Sequence, residues 1–450
     1  MTPAARIAAT IELLDELLSF SRPADQVVAG YLRLRRYIGS KDRRAILQWT
    51  YSCLRTHARL SWWLAHLLGE SPEAQGPRAR LLAMLMLVEG FKPAKISDLF
   101  AGGRFEPAPL SAAEQRLLKA LQGRTLEHPD MPEAVRLEAP EWLMPCLHRA
   151  FPDGLEREMQ ALSEEAPVDL RVNRLKAQRE ELIPALHRQG LDVAPTVYSP
   201  LGLRMQGRSA VAASRAFRDG LIEVQDEASQ IAALLTGARP GMRVADFCAG
   251  AGGKTLALAA EMQNKGQIVA LDVLQGRLDR AATRFKRAGV HNVERRVLRD
   301  HRDRWIKRHK RGFERVLVDA PCSGSGAWRR NPDARWRLTA QELDNLTRLQ
   351  GEIVDSAARL VMPGGVLVYA TCSVLQEENE DQVSAFFARN EGFRPLSVQD
   401  LWPAHLNGSC PGREDWLKLT PARHGTDGFF VAVMQRSESP DGQSGEADGP

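Results

Sequence analysis

Apolar positions recur at helical spacing through the first part of the chain and give way to short alternating strand and helix signals after it. Ile7, Ile11, Leu14 and Leu17-Leu18 lie on one helical stripe, and Tyr31-Leu32, Ile46-Leu47, Tyr51, Leu54 and the run 60–64 continue the pattern. Between them Ile38-Gly39-Ser40-Lys41-Asp42-Arg43-Arg44 predicts a turn, with Ser40 placed to cap the basic helix that follows. A Pro/Gly/Glu-rich break at 69–77 precedes an apolar helix at 81–88, and further helices reach about residue 122. The pattern predicts an all-helical module over 1–125.

From Pro140 the period changes. Pro140-Glu141-Trp142-Leu143 opens a helical stretch to about residue 163; 169–173 then reads as a strand, 180–189 as a helix and 191–205 as two short strands. Such a mixture in so short a segment predicts a compact α+β subdomain over 140–235. Gly237 and Pro240-Gly241 punctuate the chain before a strand at 244–246, a glycine-rich bend and a helix at 255–262. Strands follow at 268–271, 293–298, 315–318, 366–370 and 429–434. Helices are expected at 274–288, at 340–361 after the capping box Thr339-x-x-Glu342, and at 376–388. Pro363-Gly364-Gly365 is expected to stop the second of these. This alternation predicts an α/β domain over 236–436, a mostly parallel sheet with helices on both faces. The segment 437–450 has almost nothing to bury and reads as a disordered tail.

At 450 residues the chain is long enough for about three domains. It carries no uncharged apolar run of membrane-spanning length and no secretory leader, so a cytoplasmic protein without membrane association is expected. Its six cysteines have no paired CxxC spacing, which suggests neither a metal site nor a disulfide framework. The net charge of +5 is modest, but Arg and Lys crowd two stretches, 33–59 and 277–311. Basic surfaces bearing aromatics suit a polyanion such as nucleic acid, and either stretch alone also fits an ordinary solvated helix face.

The chemistry centres on Val244-Ala245-Asp246-Phe247-Cys248-Ala249-Gly250-Ala251-Gly252-Gly253-Lys254-Thr255. A strand that ends in glycines and opens a helix is how doubly wound sheets hold a cofactor at their carboxyl edge. Gly253-Lys254-Thr255 imitates the end of a phosphate-binding loop, but Cys248 stands where that loop starts with glycine, which disfavours a nucleotide triphosphatase. Four strands end at or near aspartates, Asp246, Asp272, Asp300 and Asp319. An acidic residue roughly twenty positions past a glycine loop is placed to bond ribose hydroxyls, although aspartates also cap helices after strands. Cys322 and Cys372 lie just past strand ends, in Asp319-Ala320-Pro321-Cys322-Ser323-Gly324-Ser325-Gly326 and Thr371-Cys372-Ser373. A single cysteine there reads as a small buried residue; two in equivalent loops beside a cofactor site read as reactive thiols. Cys53, Cys146 and Cys410 have no such context, and Cys248 reads as packing. Arg329, Arg330, Arg335, Trp336 and Arg337 follow the Cys322 loop; they suit phosphate gripping and base stacking, or equally a basic surface loop with a buried tryptophan.

These motifs, with Leu170-Arg171-Val172-Asn173, Val224-Gln225-Asp226, Glu378-Asn379-Glu380 and Asp427-Gly428-Phe429-Phe430, resemble the Sun/Nop-type (RsmB-like) RNA cytosine-5 methyltransferases over about residues 140–435. Gly39-Ser40-Lys41-Asp42-Arg43-Arg44 followed by Leu54-Arg55 resembles, more weakly, the NusB-like RNA-binding domain of that group. Where the family has Ala-Pro-Gly-Gly-Lys, Gly250-Ala251 here replaces Ala-Pro, and a glycine with a small residue can make the same bend. The resemblance implies a Rossmann-like S-adenosylmethionine-dependent methyltransferase sheet. S-adenosyl-L-methionine would be held by Asp246, by Cys248-Ala249-Gly250-Ala251-Gly252-Gly253-Lys254, and by Asp272, Asp300 and Asp319. It further implies Cys372 as nucleophile toward cytosine carbon 6, Cys322 in removal of the carbon 5 proton and enzyme release, and Asp319 at the base edge near ring nitrogen 3. The residues alone leave two candidate nucleophiles. The partner implied is RNA, ribosomal RNA before transfer RNA, with the protein acting as a monomer. A non-catalytic RNA-binding or ribosome-assembly factor is the alternative of a different class, against which the retention of both cysteines and Asp319 argues.

Overall fold

The computed structural model describes residues 1–69, 76–207, 210–412 and 415–438. Most of the expected tail, 439–450, and residues 70–75 of the Pro/Gly/Glu-rich break lie outside the described residues. The chain divides into two compact units, Met1–Glu165 with Trp328–Ala340, and Ala166–Ala327 with Gln341–Pro450.

The first unit is helical. Its opening helix, Pro3–Leu17, is capped by Thr2, whose Oγ1 accepts the Ala5 amide at 3.1 Å, and buries Ile7, Leu13, Leu14 and Leu17. Ser40 does not cap the basic helix: Gly39 is the residue before it, Ser40 is the first helical residue, and no side chain bonds the free amides there. The unit also continues past residue 125. The helical segments Glu141–Leu143, Met144–Ala150 and Leu155–Ser163, read from sequence as the start of the α+β subdomain, belong to it.

So does the inserted segment Trp328–Ala340. Arg335 is 1% exposed; its Nη1 donates to Glu138 O at 2.9 Å and Ser163 Oγ at 3.1 Å, and its Nη2 to Leu162 O at 3.0 Å. The last carbonyls of Leu155–Ser163 have no partner within their own helix, and the guanidinium fork supplies one. Burial pushes that guanidinium down to about 10. Trp336 sits 4.9 Å from the His57 ring, and Arg337 pairs with Asp333 at 2.9 Å. Arg335 is therefore an interior side chain, a correction to its reading as a phosphate-gripping residue, while Trp336 is half-buried against His57.

The second unit holds two sheets. Strands β1 (Asp169–Val172), β2 (Val193–Pro195), β3 (Gly202–Met205) and β4 (Ile222–Val224) form an antiparallel sheet in the order β2-β3-β1-β4. The larger sheet comprises β5 (Arg243–Asp246), β6 (Gln267–Asp272), β7 (Val293–Val297), β8 (Phe313–Asp319), β9 (Val361–Thr371), β10 (Phe393–Leu396), β11 (Trp416–Leu419) and β12 (Phe429–Arg436). Its order is β10-β12-β9-β8-β5-β6-β7, with β11 beside β12. Strands β5 to β9 run parallel; β12 runs antiparallel to β9, and β10 and β11 pair antiparallel with β12. Side chains alternate across the pleat, so Val244, Val368 and Val431 enter one core while Ala245, Tyr369 and Phe430 enter the other.

Strand β9 starts earlier than predicted and runs through Pro363-Gly364-Gly365, because its pairing with β8 jumps from Phe313↔Val361 to Arg315↔Val366 and takes those residues up as a bulge. The helix before it, Ala340–Ala358, ends correspondingly sooner.

The two sheets are stapled together by polar contacts. Asn173 Nδ2 donates to Gly220 O and Ala288 O at 2.9 Å each, and buried Glu223 pairs with Arg284 at 3.1 Å and with Arg287. Two arginines of the basic stretch 277–311 thus turn inward. For the first unit, Arg335→Ala leaves two buried carbonyls and the half-buried Ser163 hydroxyl without their donor, an expected loss on the order of 3 kcal/mol. Thermal unfolding should show a lowered transition that Arg335→Lys does not restore, since a lysine lacks the fork.

Candidate functional site

Chain order in the large sheet reverses between β5 and β8, and the loops leaving the carboxyl ends of β5 to β9 gather around a cavity of about 790 Å³. After Asp246 the chain turns through Gly250 at φ +56° and Gly252 at φ +79°, both left-handed, before the helix Gly253–Glu261. Gly252 must also be small, since a Cβ there would come within 2.6 Å of the Phe285 ring.

Not every expected cofactor residue reaches the cavity. Cys248, Ala249, Gly250 and Ala251 line it, as do Gly253 and Lys254. So do Asp272, Asp300 and Asp319, and both Cys322 and Cys372. Asp246 and Gly252 do not. Asp246 is fully buried beneath the loop, where Thr255 Oγ1 donates to its Oδ2 at 2.6 Å and its Oδ1 has no partner. Its part is to tie the strand end to the first turn of the helix. Burial, opposed by the Thr255 hydrogen bond, pushes its carboxyl up to about 7.

Asp272 holds the glycine loop in place: its Oδ2 accepts Gly250 N at 2.9 Å and its Oδ1 accepts Leu274 N at 2.8 Å. Asp300 accepts Arg302 N at 2.7 Å and Arg299 Nε at 3.2 Å, and that amide first, then Arg299, hold its carboxyl below the usual range. Lys254 Nζ lies 2.6 Å from Asp319 Oδ2, with Asp319 about one third exposed to the cavity. Burial and the surrounding aspartates hold the Cys248 thiol well above its ordinary value, which suits packing.

Cys322 Sγ and Cys372 Sγ lie 3.5 Å apart. Their loops are stitched together by Ser325 and Ser373, whose hydroxyls are 2.9 Å apart, and by Gly326 N donating to Cys372 O at 2.9 Å. Gly326 also abuts Gly428, whose carbonyl would lie 1.9 Å from any Cβ added at Gly326. The hydrogen bond with Cys372, then burial, raises the Cys322 thiol well above its ordinary value.

The family model for the 16S rRNA methyltransferase RsmB/F matches residues 233–435, and that for the RsmF/B-like ferredoxin-like domain matches 139–212. "Ribosomal RNA small subunit methyltransferase B" of Salmonella typhi is 30% identical over 409 residues, covering 89% of this chain and 92% of the relative. The protein of the same name from Photorhabdus laumondii is 28% identical over 418 residues, covering 90% and 93%. The chain belongs to the RsmB/F methyltransferase family. Among solved structures, PH0851 superposes with a TM-score of 0.76 at 28% identity over 97% of this chain and 99% of that one. A methyltransferase homologue from Pyrococcus horikoshii gives 0.58 at 26%, covering 69% and 100%.

As in its family, the cofactor is S-adenosyl-L-methionine. The residues present fit it. The cavity has the volume of a small-molecule site, and a Cβ at Gly250 would meet nothing nearer than Cys248 O at 4.0 Å, so the loop leaves room for a ligand against its backbone. Among the described residues no side-chain cluster could hold a metal ion, and no helix is long and apolar enough to cross a membrane.

Three supports of the RsmB/F site escaped the sequence reading. Buried Arg171 donates to Gly253 O at 2.7 Å and to Gln225, and Arg284 Nη1 donates to Ala251 O at 2.8 Å. Arg171 and Gln225 were visible as members of family motifs, but only three-dimensional proximity shows that Arg171 grips the cofactor loop while Gln225 holds Arg171.

The raised Asp246 carboxyl gives a signed expectation. Between about pH 4 and 7 the folded state keeps a proton that the unfolded chain has released, so this group's contribution to stability is full below pH 4 and is lost as pH rises through 7. Asp246→Asn removes that slope. Melting temperatures measured from pH 4 to 8 should show the difference, variant minus wild type, growing to about pH 7 and then levelling.

Proposed function

We propose that this chain methylates carbon 5 of a cytosine in ribosomal RNA through a covalent adduct at Cys372. The observation that carries the reading is the pair of thiols 3.5 Å apart at neighbouring strand ends, in the cavity that also holds the Lys254–Asp319 pair. The ribosomal target rests on the names of the relatives.

Carbon 5 of cytosine is a poor nucleophile, and addition of a thiolate to carbon 6 turns the ring into an enamine with electron density at carbon 5. Bound S-adenosylmethionine supplies the methyl group as an electrophilic sulfonium. Cys372 is assigned the addition because the resemblance gives that role to the cysteine of Thr371-Cys372-Ser373; its sulfur lies 3.5 Å from that of Cys322, close enough for either thiol to donate to the other. Once the Cys372 sulfur is a thioether it carries no charge, and Cys322 is freed to lose its proton to solvent. After carbon 5 has taken the methyl group, the Cys322 thiolate takes the carbon 5 proton, and the electron pair of that C–H bond forms the 5,6 double bond and expels Cys372 as thiolate. Asp319, anchored by Lys254, is assigned the amino edge beside ring nitrogen 3. The cytosine must be unstacked to enter, which favours loops and bulges in the RNA.

Cys372→Ala should abolish methylation while leaving cofactor affinity near wild type; full activity removes Cys372 as nucleophile. Cys322→Ala should accumulate an RNA–protein adduct that survives denaturation, seen as a shifted band on a denaturing gel. Bisulfite sequencing of total RNA with and without the protein should show one ribosomal cytosine losing protection. A transfer RNA cytosine instead would replace the substrate, and no change at any site would reject the reading.

A further inference from the structure

Glu378 and Asn379 are adjacent in the chain, both are fully buried, and each grips a different cysteine loop. Glu378 closes the short helical turn Gln376–Glu378 after the Cys372 loop. Its Oε1 accepts Ser323 N at 2.8 Å and Gln350 Nε2 at 2.9 Å, and its Oε2 accepts the Ser323 hydroxyl. The same Gln350 Nε2 donates to Pro321 O at 2.9 Å. Cys322 is thus held through the residue on either side of it. Asn379 treats Cys372 in the same way: its Oδ1 accepts Thr371 Oγ1 at 2.5 Å and its Nδ2 donates to Ser373 O at 3.0 Å. Tyr369, buried in β9, donates its hydroxyl to Glu378 O at 2.7 Å and ties the dipeptide to the sheet.

We infer that Glu378-Asn379 is a positioning dipeptide that sets the distance between the two thiols, Glu378 governing the Cys322 step and Asn379 the Cys372 step. The donor count supports a carboxylate at 378. Three hydrogens converge on its two oxygens, and among the described residues no cation pairs with it. Glutamine at this position would set an N–H group against one of these donors and remove the negative charge. That charge stands close enough to oppose ionisation of Cys322, alongside the hydrogen bond with Cys372 and burial. Glu378 touches neither reacting sulfur in this arrangement; it acts through Ser323 and Gln350.

The inference rests on the reading that both cysteines act in the reaction, and its test has one arm that needs no RNA. In the intact protein, alkylation by iodoacetamide with peptide mass mapping reports the reactivity of each thiol against pH. Glu378→Gln should make Cys322 react about tenfold faster at pH 8, the effect of roughly one pKa unit. With RNA and cofactor, Glu378→Gln should accumulate the denaturation-resistant adduct, its release slowed about a hundredfold because Cys322, though more readily ionised, is displaced from the carbon 5 proton. Asn379→Ala should instead slow adduct formation without accumulation. Ser323→Ala, which removes one contact and keeps the carboxylate, should slow adduct release in the direction of Glu378→Gln by less while leaving Cys322 alkylation near wild type, and it reads the positioning contact should Glu378→Gln fail to fold. Unchanged Cys322 alkylation in Glu378→Gln, unchanged adduct release in Ser323→Ala, or equal loss of adduct formation in Glu378→Gln and Asn379→Ala, overturns the assignment. A wild-type protein that transfers no methyl group but shows the alkylation shift rejects the reaction and keeps the clamp.

Discussion

The parallel register of the central strands is the constraint on which the site depends. Asp246 pairs with Ala270 on one side and Leu317 on the other, and Asp319 pairs with Ala370, so the carboxyl ends of four strands arrive at one edge within a residue or two of each other. Parallel neighbours must be joined by crossovers, which carry the intervening helices onto the sheet faces and leave that edge to loops. The glycine loop, the Asp272 turn and both cysteine loops are four outcomes of one pairing geometry. Strand β12, antiparallel beside β9, adds the Gly428 backbone that closes against Gly326.

Around that edge, polar groups placed where water is excluded do the ordering. A buried charge is tolerable only when hydrogen bonds surround it, and losing one partner strands the other. Glu223 between Arg284 and Arg287, Arg171 on Gly253 O, and Asp272 on the Gly250 amide each meet that condition. Together they make the small antiparallel sheet part of the wall behind the cofactor loop. Asp246 meets it only in part, with one oxygen bonded and one bare, and its raised carboxyl follows from that shortfall.

Much of this was legible in the chain. The strand and helix alternation from residue 244 onward follows from apolar period and punctuation, because central parallel strands are buried on both faces and read as short β-branched runs. What escaped has physical reasons. β10 and β11 are short edge elements whose few residues give no clear period. Asp246 and Gly252 look like ligand contacts by position, whereas burial under the loop and the Phe285 ring are facts of packing. Arg335 read as part of a basic surface loop because sequence cannot tell a solvated arginine from one that caps a distant helix. Hydrogen-bond partners such as Glu378 with Ser323 lie 55 positions apart, and no local pattern encodes such a pair.

The segment Trp328–Ala340 also has a consequence for how this protein is made. The chain passes between its two compact units after residues 165, 327 and 340. During synthesis, domains generally fold as they emerge, the amino-terminal one first. Here the amino-terminal unit takes its last segment from far along the chain. Its Glu138 and Leu162 carbonyls wait for Arg335, and its His57 ring for Trp336, until nearly three quarters of the chain has left the ribosome. The helical unit is therefore completed from within the methyltransferase sequence, only once the chain has been made to residue 340.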